Sequence, residues 1–454
     1  MQLWEEALVQ ESTSHTGGKH NQRSAFWMPF TPNRATLKNP MQLVGAEGAY
    51  YIGQDGRRKF DGVSGLWCCN AGHNRVEMRE AIVDQLDQLD FAPSFLFGHP
   101  SAFSLAERLA QSAPGDLNHV FFTNSGSEAT DTALKIALAY QIARGEPRRT
   151  MLVGRERAFH GVGFGGISVG GMVANRKTFP NLLPRTAHIR HTHQPELNRF
   201  VAGEPEHGAD LADDLLRVIE LHGGETVAAV IVEPMSGSTG ILPPPKGYLQ
   251  RLRQICDQYG ILLIFDEVIT AFGRLGHAFA AERFDVQPDM ICFAKGVSSG
   301  VVPLGGVMIR EGIYDAFMQG PEYLIELFHG YTYSGHPMAM AAAHAAQDMY
   351  EKGGLYSRAQ QLEPFFAQQL MSLRDHPMVK DIRCIGLAGA IDLQPIDGTP
   401  TTRARSLFSN AYHQSDLVIR YTGDTLVFAP TLISTEDEIA DMFDKIGRLL
   451  KAQE

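Results

Sequence analysis

The most informative residues in the sequence are an acid and a lysine separated by 29 positions. Asp266 follows the apolar run Ile261 to Phe265, and Lys295 follows the apolar run Met290 to Ala294. Short apolar runs are typical of buried strands in a parallel sheet, and α/β proteins bind ligands at the carboxyl ends of such strands. We therefore expect the carboxylate and the amine to face one crevice.

Two interpretations of this pair are open at this point. Pyridoxal phosphate (PLP) chemistry needs a lysine that holds the cofactor aldehyde as a Schiff base, together with a carboxylate that keeps the pyridine nitrogen protonated. Alternatively, the two residues end their strands and form an ordinary salt bridge. The pair alone does not distinguish the two, so the rest of the sequence must decide.

A candidate anion site follows the strand-like run VFFT. Ser125, Gly126 and Ser127 begin a good helical pattern. Small residues at a helix N-terminus favour a phosphate, because free backbone N–H groups and the positive end of the helix dipole lie there. The alternative is an ordinary serine cap with Glu128 in the first turn. The acid and lysine described above favour the phosphate site.

An aromatic residue follows another strand-like run, TMLVG. Phe159, next to His160, could stack on a planar cofactor, although a lone phenylalanine at such a place is more often part of the core. The neighbouring stretch GVGFGGISVGG is rich in glycine like a dinucleotide loop, but no helical pattern follows it and no acid stands about 20 residues further on. We therefore do not expect NAD.

Composition limits the classes of protein to which the chain can belong. Its 454 residues are 44% hydrophobic, enough for a large core and two or more structural units. The formal net charge is -11 and there is no basic run, so we expect no nucleic-acid partner. The first residues lack a basic and an apolar segment, and no apolar stretch approaches the roughly 20 residues that cross a membrane. We expect a cytoplasmic protein with no membrane partner.

Neither the cysteines nor the histidines indicate a metal site. The five cysteines show no C-x-x-C spacing, so we expect reduced thiols rather than zinc ligands or a disulfide framework. The cluster His188, His191 and His193 fits no metal motif, and we assign no metal.

Strand-like and helix-like segments alternate between about residues 75 and 335, which predicts an α/β fold with a mostly parallel central sheet and helices on both faces. The stretch AYYIGQDGRRKFDGV before it predicts a hairpin. After it, helix-like and strand-like segments predict a smaller α+β unit. We therefore predict three regions: an N-terminal segment that packs with the small domain (residues 1–70), a large cofactor-binding α/β domain (71–335) and a C-terminal small α+β domain (336–454).

Seven motifs between about residues 26 and 430 connect these observations: NSGSEA, FHG, VEP, IFDEVITAFGRLG, FAKG, HGYTYSGHP and IRYTGD. With these motifs in this order, the chain resembles the class III aminotransferases, PLP-dependent enzymes of fold type I, and among them the ω-amino acid:pyruvate branch. The resemblance implies that Lys295 binds the cofactor aldehyde and later moves a proton on the substrate. It also implies that Asp266 pairs with the pyridine nitrogen and that Val268 packs on the ring face opposite Phe159.

The resemblance also assigns the residues around the ring. It implies that Ser125, Gly126 and Ser127 hold the phosphate. Thr332, with Tyr331 beside it, is similar to a threonine that reaches the phosphate across a subunit interface, which implies a homodimer or a homotetramer.

Further positions follow from the same resemblance. Glu233 is similar to an acid that lies near the cofactor, and His160 to a residue that supports the cofactor. The implied walls of the substrate pocket are Trp67, Phe26, Met28 and Phe95. One departure is Phe159 itself, because the family commonly has tyrosine there; stacking survives, but a hydroxyl is missing.

The substrates are predicted from an arginine and from two departures. Arg420 resembles the arginine that clasps the carboxylate of the acceptor, a task that suits a planar fork of donors. Relatives that use glutamate carry a glutamate where this chain has Ser238 and a glutamine where it has Ile269, so Arg420 should be uncovered by an acid. This favours pyruvate over 2-oxoglutarate as acceptor, with a β-alanine-like ω-amino acid or an amine as donor. Taurine and 4-aminobutyrate are alternative donors. A PLP aminomutase or decarboxylase of the same fold is disfavoured, because an aminomutase needs no clasp for a second substrate.

Overall fold

The structure is a computed structural model, and it describes residues 24–453. The predicted N-terminal segment, residues 1–70, is therefore described only from residue 24, and residues 1–23 lie outside the described residues. Residue 454, the last of the predicted C-terminal domain, also lies outside them.

The described residues form strands and helices that we number in chain order. The strands are β1 Leu43–Glu47, β2 Tyr50–Gly53, β3 Arg58–Asp61, β4 His119–Thr123, β5 Met151–Arg155, β6 Thr186–Ile189, β7 Val201–Ala202, β8 Val227–Val232, β9 Leu262–Asp266, β10 Met290–Ala294, β11 Gly305–Ile309, β12 Val379–Ile385, β13 Ala388–Leu393, β14 Leu417–Val418, β15 Arg420–Thr422 and β16 Thr425–Phe428. The α-helices are α1 Asn33–Thr36, α2 Ser64–Trp67, α3 Val76–Gln88, α4 Pro100–Ser112, α5 Gly126–Ala143, α6 Phe164–Val169, α7 Val173–Thr178, α8 Asp214–His222, α9 Tyr248–Tyr259, α10 Ala280–Arg283, α11 Glu311–Phe317, α12 Pro337–Glu351, α13 Leu355–Met371, α14 Thr402–Gln414 and α15 Glu436–Lys451. Short 3-10 helices span Ala209–Asp213, Gly224–Thr226 and Lys295–Ser298.

The centre of the fold is a seven-stranded sheet with the order β4-β11-β10-β9-β8-β5-β6. The five strands from β10 to β6 run parallel, whereas β11 is antiparallel to both of its neighbours, β10 and β4. The mostly parallel sheet predicted from the alternating pattern is thus confirmed. The sequence pattern does not reveal the direction of β11, because an apolar run marks a buried strand whichever way it points.

Both faces of this sheet are covered. Along β9, Leu262 and Ile264 belong to one hydrophobic cluster and Leu263 and Phe265 to another, because successive side chains of a strand point to opposite faces. The first cluster includes α5 and the second includes α9. Strands buried on both faces explain why these runs are continuously apolar.

Two smaller sheets have the orders β1-β2-β3-β14 and β15-β16-β13-β12-β7. The hairpin predicted around Asp55 and Gly56 consists of β2 and β3, and β14 pairs with β3 in parallel, so the C-terminal part of the chain joins the N-terminal sheet. The two-residue strand β7 pairs with β12, so a segment from the middle of the chain extends the five-stranded sheet. Two residues are too few for a periodic pattern, so no sequence pattern indicated this pairing. The domain limits at 70 and 335 stay a prediction.

No helix among the described residues is long and apolar enough to cross a membrane. The cytoplasmic location stays a prediction.

Candidate active site

Lys295 and Asp266 line one cavity at the carboxyl ends of two adjacent parallel strands. β9 ends with Asp266, and Lys295 follows β10. The cavity has a volume of roughly 300 Å³. Within residues 24–453, the amine of Lys295 has no hydrogen bond and no ion pair, so the structure does not show the salt bridge that was the alternative interpretation. The amine is therefore available to a ligand.

The surroundings of Lys295 favour its neutral form. Burial lowers the pKa of Lys295, while the negative charge of Asp266 opposes that shift. The guanidinium of Arg420 is close enough to lower the pKa of Lys295 further. Lys295 also has a φ of 50°, which lies in the left-handed region that residues other than glycine rarely adopt. An amine with a lowered pKa is more often neutral near pH 7, the form in which it acts as a nucleophile and a base.

Asp266 is held on both oxygens. His160 Nδ1 lies 2.8 Å from Asp266 Oδ2, and the backbone N–H of Val268 donates to Oδ1 over 3.1 Å. Both side chains are buried. His160 Nε2 is also buried and has no hydrogen-bond partner among the described residues. These contacts fix the orientation of the carboxylate toward the cavity.

Glu233 organises the backbone beside this pair. It follows β8, and its carboxylate accepts hydrogen bonds from the N–H of Phe159 at 3.0 Å and from the N–H of Gly237 at 3.1 Å. Burial raises the pKa of Glu233, while the charge of His160 lowers it. The predicted residues Phe159, His160 and Glu233 all line the cavity with Asp266.

The start of α5 forms one end of the cavity. Ser125 caps the helix, because its hydroxyl accepts a hydrogen bond from the N–H of Glu128 at 3.2 Å, while the Glu128 carboxylate accepts from the N–H of Asn124 at 2.7 Å. The serine cap, considered above as the alternative, is thus present. It does not use the N–H groups of Gly126 and Ser127, which have no acceptor among the described residues. Ser125, Gly126 and Ser127 all line the cavity.

Val268 packs against the same helix start. A Cβ atom on Gly126 would lie 2.8 Å and 2.9 Å from the two γ-carbons of Val268, closer than carbon atoms tolerate. Glycine is therefore required here by the close approach of two cavity walls.

Other cavity residues were not anticipated from the sequence: Gly161, Met235, Ser298, Gly300, Pro303 and Leu304. The last four belong to the run SSGVVPLGG after Lys295, whose small residues and lack of periodicity could have identified it as a loop at the strand end.

Arg420 lies at the start of β15 beside Trp67. Its guanidinium carbon is 5.3 Å from the centre of the Trp67 ring. Within residues 24–453 it makes no ion pair, and its Nε has no hydrogen-bond partner. Burial lowers the pKa of Arg420. Ile269 lines the cavity, and Ser238 is partly buried.

Trp67, Ser238 and Arg420 do not line the cavity, and the structure of the single chain does not bring the remaining predicted residues to it either. Phe26 and Phe95 are exposed by 68% and 59%, and Met28 is partly buried near the start of the described chain. Tyr331 hydrogen-bonds to the Thr132 hydroxyl on α5 at 3.2 Å, and Thr332 is exposed. Their roles stay predictions. A residue that was not anticipated, Phe30, contacts the ring of Phe159 edge-on, with 6.4 Å between ring centres.

No group of three or more His, Cys, Asp or Glu side chains that could hold a metal ion occurs in the described part of the chain.

Comparisons with known proteins agree on one family. A family model described as aminotransferase class-III matches residues 32–450. The chain is similar to an omega-aminotransferase of Caulobacter vibrioides, with 53% identity over 430 residues that cover 95% of this chain and 98% of the relative. It is also similar to a beta-alanine--pyruvate aminotransferase of Pseudomonas aeruginosa, with 49% identity over 94% of this chain and 95% of the relative. The solved structure of an amine transaminase from an uncultivated Pseudomonas species, in its PLP-bound form, superposes with a TM-score of 0.87 at 34% identity, covering 95% of this chain and all of that one.

Proposed function

The chain belongs to the class-III aminotransferases, and from this premise we propose that it uses PLP to transfer an amino group from a β-alanine-like ω-amino acid or an amine to pyruvate. The observation that carries this proposal is the cavity in which the unpaired amine of Lys295, the fixed carboxylate of Asp266 and the start of α5 meet. An amine, a carboxylate and a phosphate-binding helix start are the three groups that PLP requires.

The donor set of the cavity fits this cofactor. The N–H groups of Gly126 and Ser127 lack acceptors, which suits a phosphate, and the side chain of Lys295 lacks a partner, which suits an aldehyde. Asp266 ends β9 and Lys295 follows the neighbouring strand β10. The carboxylate and the amine are therefore close enough to contact opposite ends of one small ring. Where PLP is bound, it supplies the electron sink for a negative charge that develops on the substrate carbon.

Two residues perform the acid and base work in this proposal. Lys295 moves the proton at the reacting carbon of the substrate, and its lowered pKa favours the neutral base that this step needs. Asp266 is held in one orientation, because His160 and the N–H of Val268 contact both of its carboxylate oxygens. A fixed negative charge in a site that excludes water stabilises a protonated nitrogen beside it.

The choice of acceptor rests on Arg420. A partly buried guanidinium without an acidic partner can bind the carboxylate of pyruvate through two parallel hydrogen bonds. Ser238 and Ile269, in place of a glutamate and a glutamine, leave that arginine uncovered. The name of the Pseudomonas aeruginosa relative, which contains both β-alanine and pyruvate, supports the same pair of substrates.

We further propose that the enzyme acts as a homodimer or a larger symmetric assembly. Large apolar side chains are exposed on the single chain near the loop that carries Tyr331 and Thr332, among them Phe328 at 87%, Tyr323 at 84% and Leu96 at 96%. Soluble monomers rarely expose patches of this kind, so a second subunit is the expected cover. Sedimentation of the purified protein tests this proposal, and a stable monomer at working concentration would contradict it.

The substrates are tested by measuring complete transamination reactions for each combination of donor and acceptor. β-Alanine, taurine, 4-aminobutyrate and 1-phenylethylamine are each paired with pyruvate and with 2-oxoglutarate, and the formation of alanine or glutamate is measured. Turnover with pyruvate and little with 2-oxoglutarate is the expected result. Turnover with 2-oxoglutarate alone would show that Ser238 and Ile269 were misinterpreted.

A further inference from the structure

Two cysteines that are adjacent in the sequence have their sulfur atoms in contact. The Sγ atoms of Cys68 and Cys69 are 3.7 Å apart, and both side chains are partly exposed. Cys256, Cys292 and Cys384 are buried. The pair is therefore the part of the thiol set that a small polar reagent can reach without unfolding the protein.

Two glycines leave space around these sulfurs. A Cβ atom on Gly300 would lie 3.0 Å from the sulfur of Cys68 and 3.2 Å from that of Cys69. A Cβ atom on Gly65 would lie 3.5 Å and 3.2 Å from the same two atoms. Gly300 also lines the cavity that contains Lys295. The thiol pair and the cavity thus share a wall.

The two thiols differ in acidity. A hydrogen bond with Cys69 lowers the pKa of Cys68, while burial raises it. The same hydrogen bond and burial raise the pKa of Cys69. Because the thiolate is the reactive form of cysteine, Cys68 is the nucleophile of the pair and Cys69 is the resolving cysteine.

We propose that Cys68 and Cys69 form a reversible oxidation site that hydrogen peroxide converts into a disulfide between neighbouring residues. The Cys68 thiolate attacks one peroxide oxygen, the O–O bond breaks, and the other oxygen leaves as water after it takes up a proton. Cys68 is then a sulfenic acid. The sulfur of Cys69 attacks the sulfur of Cys68, the S–S bond forms, and the hydroxyl group leaves with the proton of Cys69 as a second water. The two thiols lose two electrons, which reduce the peroxide.

The disulfide would distort the segment that carries Trp67. The sulfurs must move from 3.7 Å to about 2.05 Å, and neighbouring Cα atoms are only about 3.8 Å apart, less than the roughly 4.4 Å that a disulfide normally spans. The N–H groups of Cys68 and Cys69 both donate to the carbonyl of Ser64, and Trp67, which stacks near Arg420, directly precedes them. Ring closure should therefore displace Trp67 and lower activity, and a strained disulfide should be readily reduced.

The test treats the PLP-loaded enzyme with hydrogen peroxide, removes the excess with catalase, alkylates the free thiols and analyses the peptides by mass spectrometry. The peptide that contains Cys68 and Cys69 should lose two hydrogens and escape alkylation. Activity should fall in proportion to this fraction, and dithiothreitol should restore both thiols and the activity. The effect on activity rests on the proposed function, whereas the peptide masses do not, so an enzyme inactive with every amine would still reveal the disulfide.

Variants separate the two steps. In Cys69→Ser, peroxide should give a sulfenic acid on Cys68 that dimedone traps, without any disulfide. Cys68→Ser should give neither product, and Cys256→Ala, at a buried thiol, should respond like the wild type. Both thiols still open to alkylation after peroxide, or a disulfide between chains, would overturn the proposal. If a variant does not fold, the peptide masses of the wild-type enzyme decide alone.

Discussion

Replacing Arg420 by glutamine should separate acceptors that carry a carboxylate from those that do not. Among the described residues, the guanidinium has no acidic partner, and burial lowers its pKa, so its charge is only partly compensated before a substrate binds. A substrate carboxylate supplies the missing partner. Glutamine keeps a polar side chain of similar reach but removes the charge and the planar fork of donors.

The size of the effect follows from charge and distance. Two unit charges about 4 Å apart attract each other by ~4 kcal/mol at an effective dielectric constant of about 20. Removing water from the carboxylate offsets part of this, which leaves about 2–3 kcal/mol, the range typical of hydrogen bonds to charged groups. At about 1.36 kcal/mol per factor of ten, kcat/KM for pyruvate should fall roughly 30- to 160-fold.

The assay compares pyruvate with benzaldehyde as acceptors, with 1-phenylethylamine as the common donor. Only the reaction with pyruvate should slow, and the free energy of unfolding of the variant should not decrease, because a partly buried unpaired charge has been removed. Arg403→Gln is the matched control, since Arg403 also has a buried Nε without a partner among the described residues. Arg420, by contrast, lies beside Trp67 and close enough to Lys295 to lower its pKa. An equal loss with both acceptors, or no loss with pyruvate, would refute the role given to Arg420.

Three further predictions concern the cofactor end of the site and its surroundings. Lys295→Ala should abolish amino transfer, and borohydride should no longer attach PLP to the protein; a cofactor mass that persists after reduction would contradict the assignment of the lysine. Gly126→Ala should weaken PLP binding by about 1–3 kcal/mol, because its Cβ would lie 2.8 Å from Val268, whereas Gly312→Ala, which meets open space, should not. Fluorescence titration with PLP measures both variants, and equal affinities would argue against the close approach. Burial raises the pKa of Glu267 from 4.5 to about 7, so the folded protein binds this proton more tightly than the unfolded chain does. The contribution of this group to the free energy of unfolding is fully present below about pH 4.5 and is lost as the pH rises through about 7. The loss is about 3 kcal/mol at most. Urea unfolding across this pH window should show the loss in the wild type and not in Glu267→Gln. The same dependence of the free energy of unfolding on pH in both proteins would refute the prediction.

The sequence predicted the residues that stand at strand ends. Asp266 and Lys295 follow long apolar runs, and parallel strands bring their carboxyl ends to one edge, so their proximity required no knowledge of the remaining chain. Ser125 was predictable both as a cap and as part of an anion site, because the same orphan N–H groups explain both. These inferences depend on local pattern alone.

The remaining features depend on contacts between distant segments. The pairing of β7 with β12, the edge contact of Phe30 with Phe159 and the proximity of Gly300 to the two thiols join residues that no periodic pattern connects. The positions of Phe95 and Thr332 relative to the cavity also depend on a second subunit in our proposal. A pattern in one chain carries no information on such a contact.

The order of strands in the central sheet has a consequence for synthesis on the ribosome. Among the described strands, β4, which leads into the turn at the start of α5, pairs with β11 alone, and β11 is synthesised much later. At about 5–20 residues per second, His119–Thr123 waits roughly 10–40 s for Gly305–Ile309 to be translated. During that time an apolar strand has no partner for its backbone, a state that favours aggregation and chaperone binding. The end of the cavity that the start of α5 forms is thus completed only after Lys295 has been synthesised. This end cannot be assembled first, although its residues come first in the chain.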